Sequence, residues 1–387
     1  MLRPKFVRLA GILSAGVALS LALSACSDAG DGNTLKIGFM GDLTGENSGI
    51  VIPPRDGAKL AIDEYNATNP EKKIELVEYD SQGKEEQATS LVRKATTQDK
   101  VVGLIGPAFS GESKAAGPLL ERAKVPSISP SATNPDLATN DWKYWHRVVA
   151  NDSDQGPGIV DFLVKAKSPK KAFVVSDDQD YSVGLADAAA AAFQAKGVTV
   201  ETNKFEQDES DYSTTVNAAR AANPDVIFFG GYYKQGGRLL KQLRDGGVTA
   251  LFASGDGSLD AQLVSGAGEA AAEGAVLGCP CNIPFGDVEG ELNDFKTKFK
   301  KATGNDPAIY ASEGYDAATL FINAIKDGNT DKDSINKYLS TADLKGVSKE
   351  IKFKANGEPE DNAIFVYEVI DGALASLGPA AEAKLVG

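Results

Sequence analysis

The chain has 387 residues, of which 42% are hydrophobic, 24% charged and 7% aromatic, a globular composition that excludes collagen-like, coiled-coil and mostly disordered architectures. That length is too great for one compact core and fits two medium domains. With 54 Asp plus Glu against 40 Lys plus Arg, the formal charge is -14, which argues against a nucleic-acid partner, because phosphate binding needs a cationic footprint.

Three cysteines cannot build a disulfide framework, and their spacing matches no zinc site. A single histidine, His146, excludes a His-rich metal centre. The chain begins with a basic patch, Arg3, Lys5 and Arg8, followed by an apolar run over residues 9–22 that is short for a membrane span. The run ends in Leu23-Ser24-Ala25-Cys26, which resembles a bacterial lipobox, cut before a cysteine whose thiol then carries lipid. The other reading is an ordinary secretory signal with a chance cysteine. Residues 1–25 are thus expected to be a lipoprotein signal peptide, Cys26 the lipidation site and residues 26–34 a small, polar tether.

Beyond the tether, strand-like runs alternate with amphipathic stretches of helical length. Strands are expected at 35–40, 74–79, 101–105 and 126–129, with helices at 56–66, 85–98 and 110–123. A second set begins after Asn151. Its strands are 172–175, 199–205, 226–229, 251–253 and 274–278, and its helices 158–165, 185–196, 214–222, 237–245 and 261–267. Helices near 292–302, 312–325 and 335–340 and strands at 350–353 and 363–369 complete the chain. Such alternation specifies an α/β fold with two doubly wound parallel-sheet domains. Ligands in such folds sit beyond the carboxyl ends of strands, so those loops are the ones to search.

After 101–105 comes Gly106-Pro107-Ala108-Phe109-Ser110-Gly111, where Ser110 stands at a helix start and either caps that helix or offers an anion its hydroxyl and free N–H groups. After the next strand, Ser129-Pro130-Ser131-Ala132-Thr133-Asn134 adds Ser131 and Thr133, again a turn or a site. In the second set, Gly230-Gly231-Tyr232 and Ser254-Gly255-Asp256-Gly257 follow strands, and Asp256 either faces a cleft or lies in a solvated turn. Tyr181 and Tyr310 fall near helix starts. No Gly-x-Ser-x-Gly elbow, phosphate loop or His-Glu-x-x-His motif supports an enzyme, and no cofactor is expected. His146 reads as packing or surface, and Asp177, Asp178 and Asp180 as a solvated loop lacking calcium-loop spacing.

Together with Asn151-Asp152-Ser153-Asp154-Gln155-Gly156-Pro157, Asp180-Tyr181-Ser182-Val183-Gly184 and Glu313-Gly314-Tyr315-Asp316-Ala317, these segments resemble the branched-chain amino-acid-binding proteins of bacterial ABC importers. The resemblance runs from Leu35 to about Asp371 and implies the type I periplasmic-binding-protein fold, with two lobes joined by a three-segment hinge. Lobe 1 would comprise 35–149 with 282–355, and lobe 2 150–281 with 356–387, with hinge segments at 148–150, 278–282 and 355–361.

The resemblance also implies roles. Ser110 and Thr133 match positions that bind a ligand carboxylate, Ser131 one whose carbonyl accepts from the ammonium, and Asp256 the acid that pairs with that ammonium. Tyr181 and Tyr232 match cleft tyrosines, and Tyr310 an aromatic lining the side-chain pocket. Implied partners are an amino acid, an ABC permease with its ATPase, and the membrane through the lipid anchor, with the protein a monomer. A sensor lipoprotein or a binder of a neutral amide or other small solute is the alternative. Two departures stand out. Ile50 falls where many relatives carry an aromatic, and Phe109 where some carry a bridging cysteine. Cys279 and Cys281 lie two apart, near the upper Cα limit for a disulfide unless Pro280 bends the chain, so both redox states stay open.

Overall fold

The computed structural model describes residues 33–386, so the expected signal segment and Cys26 lie outside the described residues. Strands β1 (Thr34–Gly41), β2 (Lys73–Asp80), β3 (Gly103–Ile105), β4 (Ser127–Ser129) and β5 (Trp145–Arg147) form an all-parallel sheet in the order β2-β1-β3-β4-β5. Thr34, the last tether residue, already pairs within β1. Strands β6 (Lys171–Ser176), β7 (Thr199–Lys204), β8 (Val226–Phe229), β9 (Leu251–Ser254) and β10 (Val276–Cys279) build a second sheet. A ribbon of β11 (Asp343–Lys345) and β12 (Glu350–Lys352) follows, and β13 (Phe365–Ile370) and β14 (Ala373–Pro379) return to the second sheet, giving β14-β13-β10-β9-β8-β6-β7. The last two strands run antiparallel, so the second sheet is mixed at one edge rather than wholly parallel.

The helices are α1 (Ser48–Ala67), α2 (Glu85–Lys94), α3 (Ser110–Ala123), α4 (Asp152–Lys167), α5 (Asp180–Ala195), α6 (Ser213–Ala222), α7 (Tyr233–Asp245), α8 (Ala261–Ala267), α9 (Glu269–Ala272), α10 (Gly290–Thr303), α11 (Ala311–Lys326) and α12 (Lys332–Leu339). Alternation along the strands decides which helices meet which face. Ile37, Phe39 and Ile105 join the core shared with α1 and α11, while Met40 and Leu104 join a second core with Ala88, Val92, Ala116 and Leu120 of α2 and α3. Each fully buried Leu, Ile or Phe contributes about 1.5–3 kcal/mol. Among the described residues no helix is long and apolar enough to cross a membrane.

Three differences from the sequence reading have physical causes. Helix α1 starts at Ser48 and runs through Pro53 and Pro54, because burial of Ile50 and Val51 outweighs the hydrogen bonds that the prolines cannot make. Trp145–Arg147, where no strand is expected from the sequence, is a buried strand too short to show a period. Cys279 and Cys281 are joined, with Cα atoms 5.0 Å apart, because β10 ends at Cys279 and the chain bends through Pro280.

The chain passes between the sheets after β5, after β10 and between β12 and β13. Loops after β1, β3 and β4 therefore face loops after β6, β8 and β9, all at carboxyl ends.

Candidate functional site

Asp256 opens a short 3-10 turn directly after β9. A Cβ at Gly255 would lie 2.3 Å from Leu185 and 2.9 Å from Gln155 Oε1, and one at Gly257 2.5 Å from Tyr181, so only glycines let these side chains close on the acid. Asp256 is buried, yet well supplied with donors. Gln155 Nε2 (2.9 Å) and Tyr181 OH (2.8 Å) donate to Oδ1, and Tyr310 OH donates to Oδ2 at 2.6 Å. A carboxylate offers about four acceptor positions, so Oδ2 keeps one for a further donor.

Tyr310 comes from the chain that follows the second passage, immediately before α11. Its φ of +60° is costly for an aromatic residue and aims the phenol across at the loop after β9. Hydrogen bonds to a charged group contribute about 1.5–3 kcal/mol. Tyr310→Phe should therefore keep the ring's packing but weaken ligand affinity roughly 10-fold in titration calorimetry; unchanged affinity would show that the phenol does not support the site.

Gln155 Nε2 also donates to Asp152 Oδ1 at 2.9 Å, so one amide bridges two buried carboxyls. Burial first, then the charge of Asp256, pushes Asp152 up to about 8. Burial raises Asp256 too, but hydrogen bonds from Tyr310, Gln155 and Tyr181 oppose it. Asp152 is therefore the neutral acid at neutral pH, and Asp256, with three side-chain donors, is the better-supported place for a negative charge.

The facing loops carry the hydroxyls. Phe109, not Ser110, is the residue preceding the first turn of α3, so Ser110 does not cap that helix. Ser110 Oγ instead accepts from the Asn134 N–H at 3.2 Å and retains its own proton to donate. Ser131 Oγ donates to the Ala108 carbonyl at 2.8 Å, fixing its loop to the one after β3. Thr133 is fully buried, and its hydroxyl lies beside Asp152 without a well-formed hydrogen bond. The Thr133 carbonyl accepts from the Asp152 N–H at 2.9 Å, so Thr133, Asp152, Gln155 and Asp256 form one connected line.

The two sides touch. Phe109 and Tyr232 rings lie 5.1 Å apart, and Tyr232 and Tyr181 rings 4.9 Å apart. Lys114 Nζ pairs with Asp180 at 2.7 Å, Asn134 Nδ2 donates to the Asp180 carbonyl at 2.7 Å, and Tyr233 OH donates to the Glu46 carbonyl at 2.8 Å. This is a closed cleft. Outside the aromatic trio lies a cavity of about 650 Å³ whose wall includes Asp42, Glu46, Glu85, Glu86, Glu112 and Asp180 against Lys84. Burial pushes the Glu112 carboxyl up to about 7. Phe109, Tyr181 and Tyr232 line the cavity, while Ser110, Ser131, Thr133, Asp256 and Tyr310 are almost wholly buried.

Other candidates fall elsewhere. His146 is buried against the Phe353 ring at 4.8 Å, and burial lowers it to about 4, so it is neutral at neutral pH. Asp177 is not solvated: it is buried and accepts from Gln179 N–H and Nε2, both at 2.9 Å. Among the described residues no cluster of three His, Cys, Asp or Glu could hold a metal ion. Sequence reasoning gave no role to Asp152, Gln155 or Phe109. The available signal was the helix-start run Asp152-Ser153-Asp154-Gln155, whose first and last members lie three apart on one helical face.

A family model described as periplasmic binding protein matches residues 34–373. An amino acid binding protein of Pseudomonas aeruginosa is 28% identical over 365 residues, covering 92% of this chain and 95% of that protein. The Leu/Ile/Val/Thr-binding protein of Salmonella typhimurium is 27% identical over 350 residues, covering 90% and 93%. Among solved structures, a leucine binding protein from Thermotoga maritima superposes with a TM-score of 0.83 at 28% identity, covering 89% of this chain and 98% of that one. A branched-chain amino acid transporter substrate binding protein from Streptococcus pneumoniae, in complex with isoleucine, gives 0.81 at 28% identity, covering 89% and 100%.

Proposed function

This chain belongs to the periplasmic binding protein family, and on that premise we propose that it captures branched-chain or related small apolar amino acids and delivers them to an ABC permease and its ATPase. Its architecture is the type I periplasmic-binding-protein fold. The observation that carries the reading is a buried, donor-supported Asp256 linked through Gln155 and Asp152 to the hydroxyl loops of Ser110, Ser131 and Thr133. A zwitterion fits that division: the ammonium takes the remaining position on Asp256 and the Ser131 carbonyl, and the carboxylate takes the Ser110 and Thr133 donors. Tyr181, Tyr232 and Tyr310 bound the rest of the pocket.

Lobe 1, 35–149 with 282–355, would present the hydroxyls, and lobe 2, 150–281 with 356–387, the acid. Closure follows from preferential binding to the closed state, which the permease then reads. The protein would act as a monomer outside the cytoplasm, held at the membrane by lipid on Cys26.

The test is a thermal-shift and calorimetric panel. Leucine, isoleucine or valine at about 100 times its dissociation constant should stabilise the protein by about 2.7 kcal/mol. Glutamate and aspartate should give no shift, because the acidic cavity wall repels a second carboxylate. A panel in which no apolar amino acid binds overturns the proposal.

A further inference from the structure

Arg147 ends β5 at the first passage between the sheets, and its side chain is completely buried. Its guanidinium is shared between two places. Nη1 donates to the carbonyls of Ala132 at 2.8 Å and Asn134 at 2.9 Å, the residues on either side of Thr133. Nε donates to Glu358 Oε2 at 3.1 Å and Nη2 to Glu358 Oε1, a two-pronged pair with the third passage. The backbones are joined as well, since the Arg147 N–H donates to the Gly357 carbonyl at 3.1 Å. Gly357 has φ of +81°, and a Cβ there would lie 2.1 Å from the Trp145 carbonyl oxygen, so only glycine lets the turn approach this closely.

Four of the five guanidinium N–H groups are thus committed, two to the loop and two to Glu358. A buried ion pair is weak evidence for stability, because desolvation offsets much of the attraction. Its value here is geometric. The same planar group that grips residues 132 and 134 is oriented by a carboxylate on another passage, so a rotation shifting 357–358 against 145–147 must move the loop that contains Thr133.

We propose that Arg147 and Glu358 are positioning residues that couple the first and third passages to the 131–134 loop, holding it in its binding form when the cleft is closed. This rests on the reading that the loop grips the ligand. A lysine could not replace Arg147, because one nitrogen cannot span two carbonyls and a bidentate carboxylate.

The experiment compares the full chain in mild detergent with Arg147→Lys and with the double variant Arg147→Met, Glu358→Leu, which leaves no lone buried charge. Two quantities are read: amino-acid affinity by calorimetry, and hydrogen exchange of residues 131–134 without ligand, with residues 172–175 as the internal reference. The proposal expects affinity at least 10-fold weaker and loop exchange at least 10-fold faster, with the reference unchanged. Should the lysine chain not fold, the double variant supplies both readings. Wild-type exchange in the loop of a folded variant overturns the proposal, whether or not affinity falls. A wild-type protein that binds no amino acid overturns the functional reading alone, and the exchange measurement then decides this one.

Discussion

Replacing Asp256 by asparagine should leave the protein folded and lower its amino-acid affinity on the order of 10² to 10³-fold. The argument is one of unpaired charge. Asparagine keeps the size of the side chain and can still accept from Gln155 and Tyr181, which bond Oδ1 at 2.9 Å and 2.8 Å. It cannot neutralise a buried ammonium, and removing one member of a buried ion pair costs about 3–5 kcal/mol. The free protein should melt no lower than wild type, since the variant no longer buries a carboxylate whose ionisation burial already disfavours. Calorimetry and a melting curve separate the two effects. Full affinity in the variant removes Asp256 from the site.

The second large effect is on stability against pH, and it belongs to Asp152. In the unfolded chain this carboxyl ionises near 3.8, and in the folded protein near 8. Below about pH 4 both forms are protonated and the group is neutral to stability. Between about 4 and 8 the unfolded chain has lost a proton that the folded protein retains, so stability falls as pH rises, by up to about 1.4 kcal/mol per unit. Asp152→Asn cannot ionise, so it should abolish that slope and be several kcal/mol more stable than wild type at pH 8. Denaturant midpoints from pH 5 to 8 check this. Parallel curves for the two proteins would show that Asp152 does not titrate across that range.

Much of the scaffold was legible because local chemistry announced it. Apolar runs marked most strands of both sheets, though neither β5 nor β14, and glycines around Asp256 marked a loop at a strand end. The failures share a cause. Pro53 and Pro54 argue locally for a loop, and only the buried contacts of Ile50 and Val51 make it helix. Gln155 reaches Asp256 across 101 residues and Arg147 reaches Glu358 across 211, and neither side chain advertises its partner in its own neighbourhood. Asp177 looked solvated because its run lacks the spacing of a calcium loop, although Ser182 and Gln179 enclose it in a buried turn.

The second sheet is completed by β13, which borders β10 although it is made far later in the chain, and by β14 on the outer side of β13. Until synthesis has passed Ile370, β10 has an unpaired edge, and until it has passed Pro379 the sheet lacks its final strand. Such distant pairing makes for slow folding, because a long loop must close before its contacts repay the entropy. A chain still emerging from the ribosome can therefore stay loose enough to thread through a translocation pore, with the finished sheet forming after passage.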